Sequence, residues 1–168
     1  VDLTSPSIKI TGVTEGQSYR DKVQPTVTID DTNFDPSKVS VTLTGARHHS
    51  IDLSKKSVVT TKYGTVITLP ELDHKKTFDD IYTLHVTVTD AAGNTKESDL
   101  TYTVNRFGST YSLSKGTKKY LKKAYHKNAR TITILETNPD PLKSYAVYIM
   151  GEGTVTKLKD DQYTVKNI

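Results

Sequence analysis

The chain of 168 residues contains no cysteine and no tryptophan, and only three of its residues are phenylalanine. Without cysteine it has no disulfide bond, no cysteine-ligated zinc site and no thiol nucleophile. The sequence also lacks a glycine-rich phosphate-binding loop, a G-x-S-x-G nucleophile motif and an H-E-x-x-H zinc motif. Since these absences remove the motif-defined catalytic classes, we expect a protein that is not an enzyme.

Long apolar segments are missing as well. No run is long enough to cross a bilayer, and no secretion signal opens the sequence. The chain starts at Val1 and stops within YTVKNI, which reads as part of a strand. We therefore interpret the sequence as a segment of a longer protein, and we expect no membrane insertion within it.

The residues that are present favour thin sheets. Hydrophobic residues make up 34% of the chain, and its 10 tyrosines far outnumber its phenylalanines. Such a composition suits strands with one wet face better than a thick two-sided core. Residues 1–105 carry a net charge of −3 and residues 106–168 a net charge of +7, within a total of +4. This asymmetry predicts two units with different surfaces.

Residues 1–105 show the two-residue alternation of half-buried strands. Apolar and polar residues alternate in SIKITG, PTVTID, KVSVTLTG, SVVTTKYGTVITLP, IYTLHVTVTD and SDLTYTV. Six or seven short strands at such regular spacing predict an antiparallel β-sandwich. Residues 86–104 read as its closing hairpin, with the turn at Gly93-Asn94. Tyr82 lies where Ig-like folds often place a corner tyrosine.

Residues 106–168 predict a small α+β module with one lysine-rich helix. The helix is expected over about Ser114–Lys127, with Ser112 or Ser114 as N-cap. About three strands are expected after it, in TITILE, SYAVYIM and VTKLKDDQYTV, with turns at NPDP and GEG. Tyr145 and Tyr148 should point to opposite faces, one to the core and the other to solvent.

The stretches GVTEGQSYRDKVQPTVTIDDTNFDPSKVSVTLTG and YTLHVTVTDAAGNTKESDLTYTV carry a resemblance. With them, residues 1–105 resemble the bacterial Ig-like domains of large Gram-positive surface proteins. Residues 106–168, through NRFGSTYSL, the lysine-rich helix and TKLKDDQYTV, look like a module that follows such domains in gut Firmicutes. The resemblance implies a mainly β fold, with an Ig-like sandwich and a small α+β module.

That resemblance also implies a place and a role. The segment would be extracellular, at the bacterial cell surface or wall, and would act as an adhesin-like monomer that binds a host protein or glycoprotein. Immunoglobulin and mucin are the two partners considered. The alternatives are a passive spacer and a carbohydrate-binding accessory module of a surface glycoside hydrolase, although the lack of tryptophan counts against the latter.

Calcium is the one cofactor considered. Two acidic loops, DDTNFD and TDAAGN, should meet at one end of an Ig-like sandwich, where clustered oxygen ligands suit Ca²⁺. The candidate ligands are Asp30, Asp31, Asn33, Asp90 and Asn94. The alternative is that these residues are there because Asp and Asn favour turns.

The lysine-rich helix is the candidate partner-binding site. Its residues are Lys115, Lys119, Lys122, Lys123, Tyr125 and His126. Such a face attracts anionic groups on a partner, whereas the simpler alternative is a solvated helix surface. No nucleic acid is expected, because stacking aromatics do not share the basic face. Exposed tyrosines favour protein or sugar recognition, and the candidates are Tyr111, Tyr120, Tyr125, Tyr145 and Tyr148.

Overall fold

The computed structural model describes residues 2–47, 50–122, 127–151 and 153–168. The chain folds into two compact units, Val1–Phe107 and Gly108–Ile168, called here the first and the second unit. No helix in these described ranges is long and apolar enough to cross a membrane.

The first unit contains eight strands in its described part. They are β1 (Ser7–Thr11), β2 (Ser18–Tyr19), β3 (Thr26–Asp30), β4 (Val39–Gly45), β5 (Ser57–Thr61), β6 (Gly64–Thr68), β7 (Asp80–Thr89) and β8 (Thr95–Val104). One sheet has the order β1-β3-β6-β5 and the other the order β2-β8-β7-β4. When the two-residue strand β2 is not counted, β1, β3, β6 and β5 are the first, second, fifth and fourth strands of the unit. In an Ig-like sandwich these four strands form one sheet, so the arrangement is Ig-like. The predicted fold class is therefore confirmed.

Alternation along the strands builds the core of the first unit. Val27 and Ile29 on β3 are fully buried, and Leu84, Val86 and Val88 on β7 are buried in the same way. Their neighbours in sequence are threonines or polar residues that face outward, as the period of two requires. Burying each such side chain stabilises the sandwich by about 1.5–3 kcal/mol.

Strands β7 and β8 form the central hairpin. They pair antiparallel from Asp80 opposite Val104 to Thr89 opposite Thr95. The turn contains Gly93 with a φ of 97°, a conformation that side chains with a Cβ rarely adopt. The hairpin therefore closes the sandwich, as its sequence predicts.

Tyr82 forms the expected corner at the start of β7. Its hydroxyl donates to the carbonyl of Phe78, four residues upstream, over 2.9 Å. The ring is fully buried against Tyr102, with ring centroids 5.9 Å apart. Burial, with the nearby Asp80 charge, raises the pKa of Tyr82 well above its ordinary value of 10.0, so the hydroxyl remains a donor.

Arg106 and Phe107 belong to the first unit, although the charge pattern places the boundary after residue 105. Both oxygens of buried Asp79 accept backbone N–H groups, one from Arg106 at 3.0 Å and the other from Phe107 at 2.9 Å. The Arg106 guanidinium donates to the carbonyls of Leu72 and Asp73. These bonds hold the chain against the first unit for two residues beyond the expected boundary.

The second unit has more strands than the sequence predicts. Its described elements are β9 (Thr110–Leu113), α1 (Lys115–Leu121), β10 (Ile132–Thr137), β11 (Tyr148–Gly151), β12 (Thr154–Lys157) and β13 (Tyr163–Asn167). The order β13-β10-β9 forms one sheet, in which β10 runs parallel to β13 and antiparallel to β9. Strands β11 and β12 form a separate antiparallel hairpin, in which Gly151 pairs with Thr154 and Gly153 lies in the turn. The expected three strands after the helix are thus four in the described part, because VTKLKDDQYTV divides into β12 and β13.

The helix is shorter than predicted. It begins after Ser114, whose hydroxyl accepts the backbone N–H of Thr117 at 3.2 Å, and it ends at Leu121 instead of Lys127. Lys122 lies in a turn, residues 123–126 are outside the described residues, and Lys127 lies in a bend. Thr117 is buried and its hydroxyl accepts the backbone N–H of Thr133, which ties the helix to β10. Helix α1 thus has seven residues, although the lysine-rich sequence continues beyond it.

Replacing Tyr82 with phenylalanine removes the corner hydrogen bond and keeps the ring. We expect the free energy of unfolding to fall by about 1 kcal/mol, because the Phe78 carbonyl loses a buried donor. Urea unfolding of both proteins measures this difference. Tyr63→Phe is the matched control, since Tyr63 is exposed. Equal losses in the two variants would contradict a specific role for the corner.

Candidate functional site

The strand register of the second unit brings apolar side chains together on one face of its sheet. Ile134 on β10 lies opposite Leu113 on β9 and opposite Val165 on β13. Two positions further along β10, Glu136 lies opposite Tyr111 and Asn167. Because residues two apart point to the same face, these six positions share one surface.

A cavity of about 560 Å³ lies on this face. Leu113, Ile134 and Val165 line it from the sheet, and the segment 144–148 lines it from the other side. Tyr111, Tyr145 and Tyr148 also line it, and their exposed fractions are 59%, 54% and 58%. Tyrosine rings around a concave apolar site give contact area at low entropic cost, which suits binding.

The expectation for Tyr145 and Tyr148 is wrong. Both are more than half exposed and both line the same cavity, instead of one entering the core. The reason is that residues 144–147 are not part of a strand, since β11 begins only at Tyr148. Successive side chains point to opposite faces only within a strand, so this rule does not apply to residues 144–147. The Tyr145 ring packs edge-on against Tyr163, with centroids 6.2 Å apart.

A second cavity of about 400 Å³ shares Tyr145 and Val165 with the first. Its lining combines apolar residues with two carboxylates, Glu136 and Asp140, and with the amide of Asn167, and it is called here the acidic cavity for those carboxylates. Glu136 is 1% exposed, and its Oε2 accepts a hydrogen bond from the Asn167 amide at 2.6 Å. The other oxygen, Oε1, is buried without a hydrogen-bond partner. The tyrosine cavity and the acidic cavity together are called here the double cavity.

An acidic cluster forms at one end of the first unit. Carboxylate oxygens of Asp2, Asp31 and Asp90 all lie within 4.8 Å of one another. Asp31 follows β3 and Asp90 follows β7, so the two predicted loops do meet at the same end of the sandwich. Hard oxygen ligands at such distances are compatible with Ca²⁺.

Hydrogen bonds already engage these carboxylates. Asn94 donates its backbone N–H and its side-chain amide to Asp90, both at 2.8 Å. Burial raises the pKa of Asp90, but the bonds from Asn94 and the turn outweigh it and hold the pKa below the ordinary 3.8. The Thr4 backbone N–H and the Asn33 amide lower the pKa of Asp2. The turn chemistry that the sequence also allowed is therefore present.

Four of the five predicted calcium ligands meet at this cluster, and Asp30 does not. Asp30 is exposed, because Ile29 faces the core and the next residue along β3 faces out. Asp31 is buried again, and its side chain accepts the backbone N–H of Asn33. Asp2, which the sequence did not indicate, takes the place of Asp30. Calcium itself stays a prediction.

The lysine-rich face is only partly described. Lys115, Lys119 and Lys122 are exposed. Lys123, Tyr125 and His126 lie outside the described residues. The part of this face that the structure describes carries positive charge, so it can attract an anionic partner.

Glu136 is the site residue that sequence reasoning missed, although a signal existed. In TITILE, Glu136 follows Ile132 and Ile134 with a period of two. A strand whose inward positions read Ile, Ile, Glu places the carboxylate on the apolar face. Asp2 carries no comparable signal, because it precedes β1 and its position depends on contacts with Asn33 and Asn94.

Comparison with solved structures finds Ig-like folds. The chain is similar to the GspB Siglec domain, with 16% identity over 99% of this chain and 98% of that one, and a TM-score of 0.42. It is also similar to the M1 domain from titin, with 13% identity, 58% and 92% coverage and a TM-score of 0.32. For murine CRIg the identity is 14%, the coverage 60% and 97%, and the TM-score 0.34. At these identities and TM-scores the likenesses carry no argument about ligands.

No protein-family model matches the sequence, and the comparison with curated proteins gives no match. The candidate site therefore depends on the geometry of the chain itself.

Replacing Asp90 with asparagine, in a chelating buffer, tests the hydrogen-bonded turn. A carboxylate whose folded pKa is depressed stabilises the fold above its unfolded pKa, and that stabilisation is lost as pH falls through the folded value. We expect the variant to melt at a lower temperature near neutral pH, and the gap to wild type to narrow below about pH 4. Asp21→Asn, at an exposed position, is the control. A gap that does not change with pH would contradict the assigned pKa shift.

The calcium prediction has its own test. Calcium should raise the melting temperature of the wild-type chain relative to the chelating buffer, because a ligand that binds only the folded state stabilises it. Asp31→Asn and Asp90→Asn should abolish that rise. Identical melting curves of the wild type in calcium and in chelator would reject the site.

Proposed function

We propose that the chain is a non-catalytic, extracellular binding segment of a bacterial surface protein, and that its partner is a host protein or glycoprotein. Immunoglobulins and mucins are the first partners to test. The double cavity of the second unit is the binding site in this proposal. The Ig-like first unit precedes the second unit in the chain.

One observation carries the proposal. Tyr111, Tyr145 and Tyr148 are each more than half exposed, yet they surround a concave site instead of lying scattered over the surface. Soluble domains seldom expose several large aromatic side chains around one cavity without a ligand, since burial of those rings is favourable. A passive spacer has no need of such a surface.

Carbohydrate recognition is the second candidate, and the same tyrosines favour it. Flat aromatic rings beside carboxylate and amide groups are suited to sugar faces and hydroxyls. Glu136 and Asn167 supply those polar groups in the adjoining cavity. A carbohydrate module would bind free glycans, whereas a protein-binding module would need the polypeptide.

We expect Tyr111→Ala and Tyr148→Ala each to weaken binding by about tenfold or more, because each removes a large exposed ring from the cavity. The measurement is surface plasmon resonance of the 168-residue chain on immobilised immunoglobulins, mucins and a glycan array. Tyr63→Ala is the matched control, since Tyr63 is also exposed but lies in the first unit.

The same assay distinguishes the alternatives. Loss of binding in the cavity variants alone supports the proposal. Wild-type affinity in both cavity variants would contradict it, as would the absence of binding to every surface, which favours a spacer. If instead Lys115→Gln, Lys119→Gln and Lys122→Gln together remove binding that salt also removes, the partner is attracted by the exposed lysines and not by the cavity.

A further inference from the structure

Glu136 is a buried carboxyl group, and one of its two oxygens makes no hydrogen bond. It is 1% exposed, and Oε1 makes no hydrogen bond. A buried carboxylate is costly unless donors or a cation compensate it. Because buried polar atoms in folded proteins are nearly always satisfied, an unpartnered oxygen beside a cavity calls for a donor from outside the chain, either a water molecule or a ligand group.

The neighbouring side chains do not supply that donor. The Asn167 amide donates to Glu136 Oε2 at 2.6 Å and to the Asn138 carbonyl at 3.1 Å, so both of its N–H groups are in use. The other residues that line the acidic cavity are Asn138, Pro139, Asp140, Pro141, Leu142, Tyr145 and Val165. This described lining includes no lysine, arginine or histidine. Asp140 adds a second carboxylate instead.

We propose that the acidic cavity binds a protonated primary amine, presented by a lysine side chain of the partner protein or by an amino sugar whose amino group is free of acyl groups. This inference rests on the proposed function and names the chemistry that its site recognises. An ammonium group offers three N–H donors for the unpartnered oxygen of Glu136, and a positive charge that compensates a buried carboxylate. The Tyr145 ring lines the same cavity and provides a π face for a cation.

A neutral hydroxyl meets the site less well. It can donate one hydrogen bond to Oε1, but it leaves the buried negative charge uncompensated. The volume of about 400 Å³ lies within the range of small-ligand sites and is ample for an aminoalkyl chain or an aminohexose. Charge, and not size, is therefore the basis of the expected selectivity.

The test is NMR titration of the 168-residue chain with two pairs of probes. The first pair is Nα-acetyl-lysine amide and its neutral counterpart Nα-acetyl-norleucine amide. The second pair is glucosamine and glucose. We expect the amine in at least one pair to bind about tenfold or more tightly than its neutral counterpart, and the pair that shows this identifies the source of the amine. Equal affinities within both pairs would overturn the proposal.

Glu136→Gln is the decisive variant, since it keeps the shape of the side chain and removes the charge. We expect it to lose the preference for amines, while Glu97→Gln, at an exposed position of the first unit, keeps it. A preserved preference in Glu136→Gln would overturn the proposal. If Glu136→Gln does not fold, Asp140→Asn and the wild-type probe pairs still test the proposal. We expect Asp140→Asn to reduce the preference for amines. An unchanged preference in that variant would count against an acidic binding site.

These results separate the inference from the proposed function. A chain that binds a host glycoprotein through Tyr111 and Tyr148 but does not distinguish the probes has the proposed function without the amine site. A chain that prefers the amines but binds no host surface has the amine site without the proposed function.

Discussion

A buried carboxylate requires hydrogen-bond donors, and this requirement determines how the β7–β8 hairpin is held at its two ends. Asp79 lies immediately before β7 and Asp90 immediately after it, and both are buried. Asp79 accepts the backbone N–H groups of Arg106 and Phe107, which follow β8, whereas Asp90 accepts from Asn94 in the turn that precedes β8. The two carboxylates thus fix the hairpin at both ends. Substituting either one leaves buried donors without an acceptor, at a cost that ordinary surface substitutions do not have.

The same requirement separates the structural carboxylates from the one assigned to binding. Both oxygens of Asp79 and both oxygens of Asp90 accept hydrogen bonds from backbone or side-chain groups close to them. Glu136 receives only the Asn167 amide, and it adjoins a cavity of about 400 Å³. Burial alone does not distinguish these residues, because all three are nearly inaccessible to solvent. What distinguishes Glu136 from the two aspartates is an oxygen without a hydrogen bond next to a cavity.

Much of the first unit follows from the sequence, because its signal is local. A period of two sets which residues of β3 and β7 face inward, and an Ig-like order of strands brings the loops after them to one end. Asp31 and Asp90 could be placed together on that basis. The second unit is less predictable, since only part of SYAVYIM forms a strand and the parallel pairing of β10 with β13 has no local turn signal. The short helix also depends on a tertiary contact. Its buried Thr117 accepts a hydrogen bond from β10, and this contact, more than the helix propensity of the lysines, determines where the helix forms.

The second unit combines two electrostatic features of opposite sign. Exposed lysines such as Lys115 and Lys119 act in water, where salt reduces their attraction to anions within a Debye length of about 8–10 Å. Glu136 acts in a buried site, where screening is weaker and charge selects the ligand more strongly. Exposed lysines of this kind can speed the approach of an anionic partner, but they distinguish poorly between one anion and another. The proposed selectivity for an amine therefore depends on the double cavity, where concave shape, tyrosine rings and the unpartnered oxygen of Glu136 lie close enough to act on one ligand group.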